Sequence, residues 1–371
     1  MKIFNFIIIF LYSINTTSFV INQKFNIKSK PLHICRDRNK RNVLPLIRNS
    51  PKDIPDTDIG VVSVIKKSIV NKTKSFFKII RYKNIMPTLL LSFSGGVIIN
   101  PSYNLFHSSK FIISSIITVL IMSCSMIIND VFDVNIDRIN NKSRPLVTGE
   151  ITMREAKIYI ILLLSLTEFL NSLLPYNLQV ITHLAIINII LYTPIFKYIL
   201  LIKNISCALL VGFAVVFAGL TAQNTLNIFL NKNIKLLVIA SRLIFFGSLH
   251  NEILLDMTDT EGDKNNNVTT IPVLFGNNVT WNIIYYITKI NVLWNTFDVI
   301  RLFNFHLGMF FMLMCTPLII NLRKIKKYNY NKDVVIQTVK ETNKPLLLTL
   351  LLLCLMSIPR MAIIRVPVWY Y

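Results

Sequence analysis

Hydrophobic positions along the chain gather in long continuous runs that short polar stretches separate. Nine such runs follow one another after residue 85, and each approaches the roughly 20 residues that a helix needs to cross a bilayer. Their approximate bounds are 86–100, 111–128, 157–174, 178–195, 204–220, 236–250, 279–299, 304–320 and 345–359. The pattern predicts an all-α polytopic membrane bundle of nine transmembrane helices around a central cavity.

Composition supports a membrane protein and narrows the choice of partners. Of the 371 residues, 53% are hydrophobic, and the mean hydropathy is +0.54. The net charge of +22 would suit nucleic-acid binding, but the basic residues lie in the N-terminal extension and the loops instead of one patch. That distribution is typical of the positive-inside rule, so we expect a lipid bilayer and no nucleic acid as partner.

The N-terminal extension differs from the rest of the chain and divides into three parts. Residues 1–19 contain an apolar run too short to span reliably, which is typical of a signal peptide. Residues 20–60 are basic and transit peptide-like, and residues 61–82 alternate apolar and lysine positions as an interfacial amphipathic helix does. Such a bipartite leader resembles those of proteins imported into complex plastids and predicts that the protein resides in a plastid membrane. The mitochondrial inner membrane and the endoplasmic reticulum are the alternative locations. The transmembrane domain is then 83–371.

Three aspartates follow the second apolar run at helical spacing. Asp130, Asp133 and Asp137 lie at i, i+3 and i+7, so in a continuing helix their carboxylates share one face. Carboxylates so placed repel one another unless a cation lies among them, and Mg²⁺ prefers such oxygen ligands together with phosphate. A solvated helix end with chance acidity is the alternative for one cluster taken alone.

A second cluster with the same spacing favours a shared ion site. Asp256, Asp259 and Asp263 follow the sixth apolar run, and seven of the 18 acidic residues of the chain fall in these two stretches. Four runs separate the two motifs, so both emerge on one side of the membrane. The basic loops near 196–203 and 321–344 share that side, which the positive-inside rule makes the stroma or cytosol.

Both motifs resemble signatures of a known family. The sequence Asn129-Asp130-x-x-Asp133-x-x-x-Asp137, followed by Arg144-Pro145-Leu146, resembles the first signature of the UbiA family of intramembrane prenyltransferases. The second motif, with Glu261-Gly262-Asp263, is similar to the branch that holds chlorophyll synthase, homogentisate prenyltransferases and digeranylgeranylglyceryl phosphate synthase.

The resemblance implies a reaction and a set of metal ligands. It implies Mg²⁺-dependent transfer of a prenyl group from a polyprenyl diphosphate donor to an aromatic, tetrapyrrole or other lipophilic acceptor, in the biosynthesis of quinones, tocopherols or chlorophyll. The six aspartates of the two motifs would hold the metal, one ion in each triplet.

The departing diphosphate needs cations besides the metal. Candidates near the motifs are Arg144, Lys142, Lys197, Lys203 and Lys264, although each lysine taken singly can also be an orienting loop charge. Tyr192 could steady an allylic cation through its ring or belong to the aromatic belt of the membrane interface.

Further polar positions are candidates for substrate contact. Asn129 and Asn204 stand beside the motif or its basic partners. Arg242 lies inside the sixth run, heptad-spaced with Asp256, and either binds substrate or pairs with a buried carboxylate. His250 and Glu252 could take a proton from the acceptor or could serve only as capping or supporting groups.

Two other classes of protein have inward carboxylates in a helical bundle. A transporter normally places ionisable groups at mid-membrane between broken helices, whereas these acids lie at the ends of apolar runs. A non-catalytic scaffold would not need two complete aspartate sets. The sequence therefore favours an enzyme.

Overall fold

The computed structural model describes residues 70–101, 103–140, 142–223, 232–265 and 268–358, and every regular element within these ranges is helical. Helix α1 covers residues 70–79. The helices that follow are α2 (Ile85–Ile99), α3 (Ser109–Phe132), α4 (Val134–Asn140), α5 (Pro145–Thr148), α6 (Met153–Asn171), α7 (Tyr176–Tyr192), α8 (Ile202–Ala222), α9 (Lys232–Thr258), α10 (Thr260–Asn265), α11 (Ile271–Leu302), α12 (Phe305–Lys327) and α13 (Lys332–Ser357).

Each of the nine predicted apolar runs overlaps a helix in the part of the chain that the structure describes. Four of these helices, α3, α8, α9 and α12, are long and apolar enough to cross a membrane. The others are shorter or turn polar side chains inward, as α11 does with Thr288, Asn291 and Asn295. The all-α prediction is confirmed, whereas length and composition mark four spans instead of nine.

Helices α8 and α9 form the centre of the bundle. One buried cluster joins α9 to α11, α12 and α13 through side chains such as Leu243, Phe311 and Leu350. Another joins α3, α7 and α8 through Ile117, Ile189 and Phe217. Because lipid tails are as apolar as these side chains, such clusters stabilise a bundle within the membrane through close packing instead of removal from water. Because α8 and α9 also pack against each other, the start of α8 meets the end of α9.

Helix α1 belongs to the predicted amphipathic segment 61–82, of which residues 61–69 lie outside the described residues. It packs on the bundle through Ile79, and the ring of Phe76 meets that of Tyr159 edge to face at 5.0 Å. The predicted leader segments, 1–19 and 20–60, also lie outside the described residues.

The lysines of α1 pair with glutamates instead of all facing a membrane surface. Lys72 Nζ lies 2.7 Å from Glu155 Oε1, and Lys78 Nζ lies 2.7 Å from Glu150 Oε1. The hydrogen bond from Lys72 lowers the pKa of Glu155 to about 2. These pairs fix the end of α1 beside the segment that follows the first aspartate motif.

Candidate active site

Both aspartate motifs interrupt a helix at the middle aspartate. Helix α3 ends at Phe132 and α4 begins at Val134, so Asp133 stands between them, with φ −90° and ψ 7°. In the same way, Asp259 stands between α9 and α10. The predicted continuous helix is therefore wrong at this point, and in the first motif the middle aspartate contacts a different partner from the other two.

The segments after the motifs repeat the same local design. Pro145 opens α5 and Pro272 lies in the first turn of α11, where a missing N–H costs nothing. Gly149 and Gly276 follow with φ of 76° and 74°, a region that side chains disfavour. Each motif thus continues into a Pro–Gly turn that brings the chain back into the bundle.

The first motif is bound by two guanidinium groups. Asp130 is 1% exposed, and Arg81 Nη2 donates a hydrogen bond of 2.9 Å to its Oδ1. Arg144 Nη1 lies 3.2 Å from the same oxygen, and Arg144 Nε lies 3.7 Å from Asp137 Oδ2. Asp130 and Asp137 therefore share Arg144, which holds the two ends of the motif together.

Asp133 turns instead toward the segment between α7 and α8. Lys197 lies in a short 3-10 helix there, and its Nζ donates a hydrogen bond of 2.6 Å to Asp133 Oδ1. Both side chains keep a small exposed fraction, 15% for the lysine and 14% for the aspartate. This pair lies at the rim of the site.

The second motif is bound by the start of α8. Lys203 Nζ donates to Asp256 Oδ1 at 2.7 Å, and Asn204 Nδ2 donates to Asp256 Oδ2 at 2.8 Å. Lys203 Nζ also lies 3.8 Å from Asp263 Oδ2. The buried Asp256 therefore has a partner on each carboxylate oxygen, and Lys203 spans both ends of the motif.

One short stretch of chain thus joins the two motifs, since Lys197, in the connection before α8, and Lys203, in the first turn of α8, stand six residues apart. The prediction that both motifs and this loop share one end of the bundle agrees with these contacts. Leu201, just before α8, has φ 64°, and Arg81 has φ 52°. Such backbone costs about 1–3 kcal/mol per residue and tends to persist at functional sites. Here the strained backbone lies at or beside the basic residues whose side chains contact the motif aspartates.

Tyr192 ends α7 beside the second motif. Asp256, Glu252 and the Cys207 thiol all lie within electrostatic reach of its hydroxyl. The prediction of a tyrosine near the motifs agrees with this placement. The cluster also includes Glu252, one helical turn before Asp256 on α9.

Arg242 is placed away from the site, which corrects the prediction that it binds substrate. It forms an ion pair with Asp298, its Nε donates to Asn295 Oδ1 at 2.9 Å, and it lies over the Trp294 ring at 4.5 Å. Fourteen residues separate it from Asp256, about 21 Å along a helix. Its partners lie on α11, whereas those of Asp256 lie on α8, so the alternative of a carboxylate partner describes Arg242 better.

Other candidates take peripheral positions. Lys142 and Lys264 are exposed, so neither is held against a motif carboxylate in the way that Lys197 and Lys203 are. Asn129 is half-buried in the last turn of α3. Arg144, by contrast, stands within the first motif as predicted.

Arg81 is the site residue that the sequence did not reveal. It lies 49 positions before Asp130, in a segment that reads as a basic amphipathic helix. Its Nε is buried with no hydrogen-bond partner among the described residues. No spacing rule links it to the motif, and only the packing of α1 brings it there.

Each of the four basic side chains at the site contacts a motif carboxylate. Burial lowers the pKa of Arg144, and the neighbouring Arg81 charge lowers it further. Within the described ranges no three His, Cys, Asp or Glu residues are gathered closely enough to hold a metal ion, because the carboxylates turn to arginine and lysine. Two guanidinium groups side by side form a site that attracts an anion.

The fold and the site define a class: all-helical membrane proteins in which two aspartate motifs and their basic partners lie at one end of the bundle. The comparisons with known proteins place the chain within that class. The model of the UbiA prenyltransferase family matches residues 88–358. The chain therefore belongs to the UbiA prenyltransferase family, which confirms the prediction of a prenyl-transferring enzyme.

Relatives with assigned names agree with this placement. The chain is 28% identical over 211 residues to digeranylgeranylglyceryl phosphate synthase of Sulfolobus acidocaldarius, covering 56% of this chain and 72% of the relative. It is 29% identical over 205 residues to the same enzyme of Methanococcus maripaludis, covering 55% and 69%.

Solved structures show the same fold. A structure of a digeranylgeranylglyceryl phosphate synthase has a TM-score of 0.62 at 23% identity and covers 77% of this chain and 98% of its own. A UbiA homolog from Archaeoglobus fulgidus bound to DMAPP and Mg²⁺ has a TM-score of 0.56 at 21% identity, covering 76% and 99%.

Proposed function

We propose that this protein transfers the prenyl group of a polyprenyl diphosphate to a lipophilic acceptor in the membrane, in a Mg²⁺-dependent reaction. The observation that carries the proposal is the short segment from the end of α7 to the start of α8, in which Lys197 and Lys203 bind one aspartate motif each. A diphosphate complexed with metal needs carboxylates and cations together, and this arrangement supplies both at one end of the bundle.

The residues present fit Mg²⁺ by their chemistry. All six motif positions offer hard carboxylate oxygens, and the buried Asp130 and Asp256 are already compensated by positive groups. Asp130, Asp133 and Asp137 would hold one ion, and Asp256, Asp259 and Asp263 a second. When bound, Mg²⁺ supplies Lewis-acid stabilisation of the diphosphate charge. The Archaeoglobus homolog is bound to DMAPP and Mg²⁺ together, which supports this assignment.

The basic side chains complete the stabilisation of the leaving group. Arg144 is suited to bidentate contact with phosphate oxygens, and Lys197 and Lys203 act as point charges. As the bond between the prenyl carbon and the diphosphate oxygen breaks, negative charge grows on the diphosphate, and these groups stabilise it. The prenyl carbon becomes an allylic cation, and the ring of Tyr192 would stabilise that charge by a cation–π contact. The apolar bundle keeps bulk water from the cation.

The surrounding membrane domain follows from the same proposal. We infer that all nine predicted segments cross the bilayer, with the motifs on the stromal or cytosolic side. The acceptor belongs to the aromatic, tetrapyrrole or other lipophilic classes of quinone, tocopherol or chlorophyll biosynthesis. The names of the curated relatives add a glyceryl phosphate acceptor to these classes. A transporter or a scaffold remains the contrasting function that the following experiment separates.

Diphosphate release is the direct test. We expect the purified full chain in lipid nanodiscs to release diphosphate from geranylgeranyl diphosphate when Mg²⁺ is present and to stop when EDTA removes the metal. The reason is that the donor must ionise at a site built of carboxylates and cations. A phosphate-detection assay with isotope-labelled donor measures it. Binding of the donor without release would indicate a scaffold, and movement of intact donor across a sealed membrane would indicate a transporter.

We also propose a plastid membrane as the location, because a short apolar run precedes a basic, acid-poor stretch at the N-terminus. A fluorescent reporter fused to residues 1–60 should accumulate in the plastid and lose the leader. Residence of the reporter in the endomembrane system or in mitochondria would contradict the location and leave the enzymatic proposal standing.

A further inference from the structure

Glu150, in the segment between α5 and α6, accepts hydrogen bonds from α1 on all three of its oxygens. Lys78 Nζ donates to Glu150 Oε1 at 2.7 Å, and Ser75 Oγ donates to Glu150 Oε2 at 3.0 Å. Lys72 Nζ donates to the main-chain carbonyl of Glu150 at 3.3 Å. The three donors follow one another at intervals of three residues, so they lie along one side of the helix. Glu150 is therefore a polar receptor for α1.

The apolar contacts of α1 keep it on the bundle but do not define its exact position. Ile79 and Ile80 pack against Ile127 of α3 and Ala156 of α6. Apolar packing is non-directional, whereas hydrogen bonds from two turns of a helix to one carboxylate fix both its rotation and its axial position. Helix α1 covers only residues 70–79, a length at which an isolated helix is marginal in water, so it depends on these contacts.

The residue that needs this exact position is Arg81, three positions after Lys78. Arg81 has φ 52° and ψ 61°, a left-handed conformation that is unfavourable for a residue with a side chain. Such backbone persists only where contacts on both sides hold it. On one side, Arg81 Nη2 donates to the buried Asp130 at 2.9 Å. On the other side, Glu150 holds the last turns of α1. Without Glu150 the turn at Arg81 can relax, and the guanidinium group then leaves the first motif.

We propose that Glu150 is a positioning residue, which holds α1 so that Arg81 stays at the diphosphate site. The inference rests on the proposed prenyl transfer, in which the donor diphosphate lies beside the first motif. Glu150 acts through α1, because its carboxylate bonds to Ser75 and Lys78 instead of to a motif residue. Its loss should therefore matter only while Arg81 is present.

A double-mutant cycle tests this dependence. The measured quantity is kcat/KM for geranylgeranyl diphosphate, from Mg²⁺-dependent diphosphate release by the full chain in nanodiscs. Glu150→Gln should lower it by about 3- to 10-fold, a smaller loss than in Arg81→Gln, because an exposed lysine–glutamate pair is weak. Glu150→Gln combined with Arg81→Gln should match Arg81→Gln alone within about twofold, because the carboxylate acts through that arginine.

Two further variants guard against a general structural effect. Lys78→Gln removes the same pair from the side of α1 and should reproduce the loss, so the result does not depend on the folding of one variant. Glu341→Gln is the matched control. Glu341 pairs with Lys324, and its side chain is 32% exposed against 35% for Glu150, so this variant should keep kcat/KM within about twofold of the wild type.

The outcomes separate this inference from the proposed function. Losses that multiply in the double variant would show that Glu150 acts independently of Arg81 and would overturn the inference. Unchanged kcat/KM in both Glu150→Gln and Lys78→Gln, or an equal loss in Glu341→Gln, would also overturn it. Absence of diphosphate release from the wild type would instead overturn the proposed function.

Discussion

Alanine at Asp133 or at Asp263 is expected to lower Mg²⁺-dependent prenyl transfer by about 10²–10³-fold, the loss typical of a single preorganised electrostatic group. These two positions suit the experiment better than Asp130 or Asp256. Their side chains are 14% and 16% exposed, and in Asp263→Ala the partner Lys203 keeps its hydrogen bond to Asp256. Removal of Asp130 or Asp256 would leave buried cations unpaired, and that can unfold a protein.

Two measurements make the aspartate result interpretable. The melting temperature in detergent should stay close to that of the wild type for both variants, and Asp333→Ala, an exposed aspartate at the start of α13, should keep full activity. If Asp133→Ala and Asp263→Ala both retained near-normal turnover, the two motifs would not form the reaction site, and the roles proposed for them would fail.

Sequence alone predicted much of this site because helical spacing is local. The apolar runs are visible from their periodicity, and the site residues stand at or near the ends of these runs. The structure brings together the two aspartate triplets, Lys197, Lys203 and Asn204. Counting apolar runs between the motifs also gave the correct end of the bundle. These inferences need only the period of a helix and the alternation of direction from one helix to the next.

Other features depended on information that spacing does not contain. The break of the helix at Asp133 and Asp259 depends on local backbone geometry, which the spacing of the aspartates does not reveal. Arg242 is heptad-spaced with Asp256, but its partner Asp298 lies 56 positions away on another helix. A membrane arginine pairs with whichever carboxylate tertiary packing provides, so its role could not be read from its own helix.

Arg81 is expected to matter nearly as much as the motif aspartates, although nothing in its local sequence marks it. Arg81→Gln should raise the KM for the prenyl diphosphate or lower turnover, with kcat/KM reduced about 10- to 150-fold. The reason is that a hydrogen bond to a charged group contributes about 1.5–3 kcal/mol, and each 1.36 kcal/mol is a factor of ten. Glutamine keeps most of the length of the side chain while it removes the charge.

A matched control lies two residues away. Lys83 is exposed, and Lys83→Gln removes the same charge from the same segment, so it should leave kcat/KM within about twofold. If Arg81 served only to dock α1 through its bond to Asp130, Arg81→Gln would lower the melting temperature and leave the kinetics unchanged. The buried Nε, without a partner among the described residues, argues for the kinetic effect, because a purely structural arginine at this depth would have its donors satisfied within the protein. An unchanged kcat/KM together with a lower melting temperature would therefore assign Arg81 to the fold and remove it from the diphosphate site.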